Sequence, residues 1–304
     1  MNKVLIAGGT GLIGRHLTRK LLDSGYTVHI LSRSKRQSTA DNLHYFVWDI
    51  NKTFIDSQAF DGVKFVINLA GSGIGAQRWT ESYKRVIVKS RVNGTRLLFE
   101  HIKSLNISID KYIAASAIGY YGTTTADRIF TEEDAPGHDF LAEVTQAWEQ
   151  EALLFETIGI KTVLMRTGVV FDRSGGAFPK IYKPVQSRMG AVLGSGQQMI
   201  PWIHIDDMVY AYVFMLEQDL AGTYNIVAPN PVNNKVLTHT IAKILHRTIW
   251  LPRIPGFVLK LILGEQAMLA LEGCAVSSEK LSRAGFSFKY PQLEEALQDL
   301  LKPH

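Results

Sequence analysis

The sequence predicts an α/β protein, a doubly wound parallel sheet with a smaller, mostly helical C-terminal lobe. Three observations carry this. Short apolar runs alternate with helix-length segments through the first half of the 304-residue chain. A glycine-rich turn, Gly8-Gly9-Thr10-Gly11-Leu12-Ile13-Gly14, joins the first apolar run to the first helical segment. After Gly168 the alternation gives way to recurrent glycine and proline, and then to short helical segments.

Residues 4–7, 27–31, 45–48, 65–69, 112–115 and 162–166 are expected strands. They are dense in Val, Ile, Leu and aromatic residues, as strands covered on both faces are. Helices are expected over 12–24, stopped by Gly25, and over 81–105, 141–158 and 206–217. From Lys235 to Leu301 short helices are broken by Pro252, Pro255, Gly264 and Gly285. The expected division is therefore a nucleotide-binding domain over 1–234, with substrate-side loops from about residue 168, and a helical C-terminal domain over 235–304.

Composition narrows the function classes. A hydrophobic fraction of 46% supports a large core. Lys and Arg total 33 against 28 Asp and Glu, a net charge of +5, but the cations are scattered; the densest group is Arg33, Lys35 and Arg36. Without a long basic stripe carrying interleaved aromatics, nucleic acid is not an expected partner. No apolar run approaches the roughly 18 residues of a membrane span, so no membrane partner is expected either. Cys274 is the single cysteine; it cannot form an internal disulfide and reads as a core residue. No secretory leader pattern and no metal-ligand cluster is present in the pattern of residues, and a cytoplasmic location is expected.

The glycine turn is where chemistry enters. Glycine lets the strand turn sharply, lets the backbone approach a pyrophosphate, and lets the helix pack closely on the strand. The helix N-terminus then offers free N–H groups to phosphate. Gly8, Thr10, Gly11, Leu12, Ile13 and Gly14 are accordingly expected to hold a dinucleotide. An acidic residue at the end of the second strand would bind the ribose 2′-hydroxyl of NAD(H). This chain has Ser32 and Arg33 there, and no carboxylate between Asp23 and Asp41. Arg33 can pair with a 2′-phosphate, so the expected cofactor is NADP(H). Asp49 is expected beside the adenine. In Asn68-Leu69-Ala70-Gly71 the small residues allow a ribose to approach Leu69, Ala70 and Gly71, and Arg91 on the next helix is expected to face the pyrophosphate.

These residues resemble the extended or atypical short-chain dehydrogenase/reductase superfamily, and more narrowly the NAD(P)-dependent epimerase-family proteins with a helical C-terminal domain of unknown function. The likeness continues through Arg78-Trp79, Ser90-Arg91, residues 116–122, Trp148-Glu149, Arg166-Thr167-Gly168-Val169-Val170 and Gly175-Gly176-Ala177-Phe178-Pro179. It extends through Pro201-Trp202-Ile203-His204-Ile205-Asp206-Asp207, Leu271-Glu272-Gly273 and Gly285-Phe286, and so covers essentially the whole chain. It implies a Rossmann fold with NADP bound across the strand ends, Val169 among the cofactor contacts, and a homodimer through the helices at 81–105 and 141–158. It implies no particular substrate.

The superfamily's usual chemistry needs a Tyr and, four residues later on the same helix face, a Lys. None of the 11 tyrosines has Lys at that spacing. The equivalent positions fall on Phe140 and Val144, or with one residue of slippage on Leu141 and Thr145. Replacement groups are sought in Ser116, Tyr120 and Tyr121 beyond the fifth strand, with Glu143, His138 and Asp139 nearby; Asp139 also reads as a helix cap. Gly176, Phe178, Trp202 and His204 are expected on the substrate side, and Asp206 is expected to cap the helix that follows. Two functions are open: an NADP(H)-dependent oxidoreductase or epimerase of a small carbonyl or sugar-like substrate, and a non-catalytic NADP(H)-binding sensor.

Overall fold

The computed structural model describes residues 2–122 and 128–302. Along the chain β1 (Lys3–Ala7), β2 (Thr27–Ser32), β3 (Leu43–Asp49), β4 (Phe54–Ile55), β5 (Val63–Asn68) and β6 (Lys111–Ala117) come first. The short β7 (Ile129–Phe130) precedes β8 (Lys161–Thr167). Then follow β9 (Val169–Phe171), β10 (Met199–Ile200), β11 (Trp202–His204), β12 (Gly222–Ile226), β13 (Val232–Asn233) and β14 (Ala275–Val276). Eight strands form one sheet in the order β12-β8-β6-β5-β1-β2-β3-β4. All pairings in it are parallel except β3 with β4. Strand order reverses between β1 and β5, the place where such sheets open a ligand crevice at their carboxyl ends.

Helices cover both faces. α1 (Leu12–Asp23) follows β1, α2 (Glu81–Ser104) follows β5, and α3 (Phe140–Leu153) precedes β8. Next come α4 (Phe178–Gln186), α5 (Ile205–Glu217), α6 (Asn234–Ile244), α7 (Gly256–Leu263), α8 (Met268–Leu271), α9 (Glu279–Arg283) and α10 (Leu293–Leu301). β1 shows why its sequence is apolar throughout: Val4 and Ile6 join Leu17 and Leu21 of α1 on one face, and Leu5 and Ala7 join Leu98 and Phe99 of α2 on the other. The helix expected over 141–158 is α3 followed by a 3₁₀ turn, Leu154–Ile158, closed by Gly159 at φ +78°. Lys111 opens β6 with a buried amine that donates to the carbonyls of Met215, at 2.7 Å, and Gln218, so a strand residue caps the end of α5.

The C-terminal helices share the main core. Leu281, Phe286, Leu293 and Leu297 pack in the same cluster as Val4 and Leu17. β14 pairs with β7, and between its neighbours Cys274 is buried, its thiol pushed up to about 11 by burial. Among the described residues no helix is long and apolar enough to cross a membrane, and no cluster of metal-binding side chains is present.

Candidate functional site

The turn from β1 into α1 is a cradle that side chains would fill. Gly8 sits at φ +83°, and a Cβ on it would stand 2.8 Å from the Leu69 carbonyl. A Cβ on Gly14 would stand 2.4 Å from the Gly8 oxygen. Gly11 caps α1 with backbone alone: no side chain accepts from the first turn, and no acidic residue lies in it. Those N–H groups lie at the strand ends beside the switch point, as an incoming pyrophosphate requires. Thr10, Leu12 and Ile13 are half-buried. Leu12 lies under the loop at Gly175 and Gly176, where Cβ atoms would approach its side chain to 3.0 and 3.1 Å.

The end of β5 is held rigidly against this cradle. Buried Asn68 donates to Thr95 and to the Tyr112 hydroxyl, and accepts from the Ala70 N–H at 3.1 Å. Tyr83 donates to the Gly73 carbonyl at 2.6 Å, and Ser90 accepts from Ser72 N–H at 3.0 Å. Behind Gly71 stands Arg91, buried, donating to the carbonyls of Ser72 at 3.0 Å and Ile87 at 3.1 Å. A Cβ on Gly71 would come within 3.1 Å of the guanidinium carbon. Arg91 also stacks on Trp148 at 5.1 Å, which makes that tryptophan a core residue. Burial lowers the Arg91 pKa to about 10, and among the described residues it has no carboxylate partner. A buried cation with donors to spare favours an anion beside it.

At the end of β2 the Ser32 hydroxyl is buried and donates to the Ser34 carbonyl. Arg33 is exposed, and among the described residues it forms no ion pair. Asp49 is spent locally: its carboxylate accepts from the N–H groups of Asn51, at 2.9 Å, and Lys52.

The relay positions on α3 are apolar and packed. Leu141 and Val144 are buried against Trp79, Tyr83 and Ile87, with Phe140 against the same cluster. Thr145 donates back to the Leu141 carbonyl at 2.7 Å. Asp139 caps α3, accepting from Ala142 N–H at 3.0 Å, as its position suggested.

Ser116 and Tyr121, sought as replacement catalytic groups, lie in a buried hydrogen-bonded network. Ser116 donates to Glu149 at 2.5 Å. Glu149 takes a two-pronged bond from Arg166, at 2.9 and 2.8 Å. Arg166 donates at 3.1 Å to the Tyr121 hydroxyl, which donates at 2.7 Å to Asn225. Ser116, Arg166 and Asn225 are register partners on β6, β8 and β12, so the sheet itself brings them into line. Burial raises the Tyr121 phenol to about 12. Tyr120 differs: it is half-buried, its ring lies 3.3 Å from the Arg166 guanidinium carbon, and its hydroxyl makes no hydrogen bond among the described residues.

Three of the four residues expected on the substrate side are buried. Phe178 and Trp202 stack on either side of Phe171, at 4.8 and 5.6 Å, with no exposed surface. His204 is buried and its ring lies 4.0 Å from that of Tyr290, tilted by 38°; its Nε2 lies 3.3 Å from Asp299 of α10. His204 also caps α5, accepting from Asp206 N–H at 3.1 Å, so the cap is His204 and not Asp206. Asp206 instead pairs with Lys289 at 2.9 Å. Gly176 is exposed above Leu12, and Val169 is half-buried where β9 meets β11.

A parallel sheet with a glycine cradle at its switch point defines a dinucleotide-binding α/β protein of the Rossmann type. Residues 4–227 match the NAD dependent epimerase/dehydratase family, and residues 254–300 match a domain of unknown function, DUF1731. The chain belongs to that epimerase/dehydratase family, within the extended short-chain dehydrogenases/reductases. It is 37% identical over 300 residues to epimerase family protein YfhF of Bacillus subtilis, covering 98% of this chain and 97% of that one. It is 36% identical over 306 residues to epimerase family protein SSP1921 of Staphylococcus saprophyticus, covering 99% of this chain and all (100%) of the relative. Among solved structures it is similar to human epimerase family protein SDR39U1 with NADPH, at TM-score 0.86 and 28% identity, with 98% of each chain covered.

Proposed function

We propose that this protein binds NADP(H) and acts as an oxidoreductase or epimerase on a small carbonyl or sugar-like substrate, without the Tyr–Lys relay of its superfamily. The observation that carries the cofactor choice is Arg33, an exposed cation with no ion pair among the described residues, at the end of β2, where NAD(H) binding calls for a carboxylate. The NADPH in the human relative supports the same choice. Gly8, Gly11 and Gly14 would hold the pyrophosphate with Thr10, Leu12 and Ile13 around it. Ser32 and Arg33 would take the 2′-phosphate. Leu69, Ala70, Gly71, Arg91 and Val169 would line the remaining length. When bound, the cofactor supplies or accepts a hydride.

For proton transfer the remaining candidate phenol is Tyr120, its ring against the Arg166 guanidinium and its hydroxyl without a hydrogen bond among the described residues. Arg33→Asp tests the cofactor choice: NADPH affinity is expected to fall about tenfold or more while NADH affinity stays level. Equal losses for both nucleotides would overturn it. Tyr120→Phe tests catalysis through stereospecific hydride loss from labelled NADPH across a carbonyl library.

The second reading, a non-catalytic NADP(H) sensor, is favoured by one observation. Ser116 and Tyr121, the other candidate groups, are consumed by the Glu149–Arg166 ion pair. Tight NADPH binding with no turnover on any carbonyl would select it.

A further inference from the structure

The helix α7 is inside out for a helix in water. Only Leu259 is buried on it. Phe257 is 72% exposed, Leu261 79% and Ile262 64%, where a surface helix ordinarily presents polar residues. Phe257 and Leu261 are four residues apart and share a face, with Lys260 at its flank. Just before the helix, Trp250 is 64% exposed, its indole N–H fixed by the Arg188 carbonyl at 2.9 Å.

The stretch of sequence that holds α7 carries charge of one sign. From Leu220 to Gly264 the chain contains no Asp or Glu, but does contain Lys235, Lys243, Arg247, Arg253 and Lys260. Lys243 is paired with Glu294. Arg188, Arg247, Arg253 and Lys260 form no ion pair among the described residues. The first carboxylate beyond α7, Glu265, is held by Lys84 at 2.5 Å. An apolar helix face, with an exposed indole just before it and the unpaired Arg253 and Lys260 in the same stretch of sequence, matches the interface of an anionic bilayer: acyl chains for Phe257, Leu261 and Ile262, and headgroup charge for the cations.

We infer that α7 docks the protein peripherally on anionic lipid surfaces, lying in the headgroup layer without spanning it. Counting spanning segments, as the sequence reading did, does not detect such a helix. The occupant is lipid rather than a second copy of this chain because Arg253 and Lys260, without ion pairs among the described residues, would repel their own copies across a two-fold interface on this face.

Flotation of the full chain with vesicles tests this. The protein is expected to float with 1:1 phosphatidylcholine/phosphatidylglycerol vesicles, about tenfold more weakly with pure phosphatidylcholine, and less at about 0.5 M salt than at roughly 0.05 M. Brominated acyl chains are expected to quench Trp250, since Trp48, Trp79, Trp148 and Trp202 are buried; the quenching should vanish in Trp250→Phe. Leu261→Asp should cut partitioning about tenfold with its melting temperature unchanged. Lys260→Glu should weaken it and flatten the salt dependence. Equal partitioning onto both vesicle types, or none, overturns the inference. So does self-association in sedimentation that Leu261→Asp abolishes while no vesicle binding occurs, which would assign the face to a second copy.

Discussion

At the scale of single residues, Gly14 shows the strictest requirement. A methyl group there would meet the Gly8 carbonyl at 2.4 Å, and backbone on both sides of the contact leaves little room to relax. Gly14→Ala is expected to cost about 1–3 kcal/mol in urea unfolding and to remove dinucleotide binding. The Glu149–Arg166 pair sets a second test. Glu149→Ala leaves a buried guanidinium without its carboxylate, and a loss of about 3–5 kcal/mol is expected by the same measurement. Replacing both partners with apolar residues of similar volume should recover most of it. These two sites also differ in legibility. The glycines are readable because the steric rule acts within seven residues. Glu149 and Arg166 are separated along the chain from Ser116, Tyr121 and Asn225, and they meet only once β6, β8 and β12 are in register. The burial of Phe178 and Trp202 was not legible for a related reason: an aromatic beside a glycine loop looks the same in sequence whether it lines a pocket or fills a core.

At the scale of elements, α3 keeps the superfamily's helix and loses its chemistry. Its inner face packs Leu141 and Val144 against Trp79, Tyr83 and Ile87 of the α2 region, so the relay positions now hold helix to helix. Reinstalling the lysine as Val144→Lys would bury an ammonium among aromatic and aliphatic groups. The melting temperature is expected to fall, by an amount equivalent to several kcal/mol, with no gain in hydride transfer. Six of the eight sheet strands were readable as apolar runs; β4 and β12, the two edge strands, were not, and neither were the strand ends. Lys3, Ser32, Asp49 and Lys111 are polar strand ends that apolar counting excludes, and Lys111 belongs to β6 because its amine finds the end of α5. The 3₁₀ turn after α3 escaped the reading because apolar spacing continues through it; only Gly159, at positive φ, marks the change.

At the scale of the whole molecule, buried and half-buried histidines tie distant parts together and set an acid limit. His29, His101 and His204 all have pKa values lowered by burial, although Asp206 and Asp299 act in the opposite sense at His204. A lowered folded-state pKa contributes stability that is present above the ordinary value of 6.5 and is lost as pH falls through the lowered values. The melting temperature is therefore expected to drop between about pH 7 and pH 5. His204→Asn, which keeps an acceptor for the α5 cap, should lessen that drop; an unchanged pH profile would count against the histidine account. The same contact, His204 with Tyr290 and Asp299, explains why the C-terminal helices are part of the main body. The sequence pattern marked their shortness and their proline breaks, but their apolar faces could not be assigned to the sheet without the topology.

The central claim is a cradle built for NADP(H), and titration of the purified protein with NADPH and with NADH, followed by nucleotide fluorescence, tests it most directly. Affinity about tenfold or more higher for NADPH is the result expected from a 2′-phosphate on Arg33. Equal affinity for the two, or a preference for NADH, would contradict it.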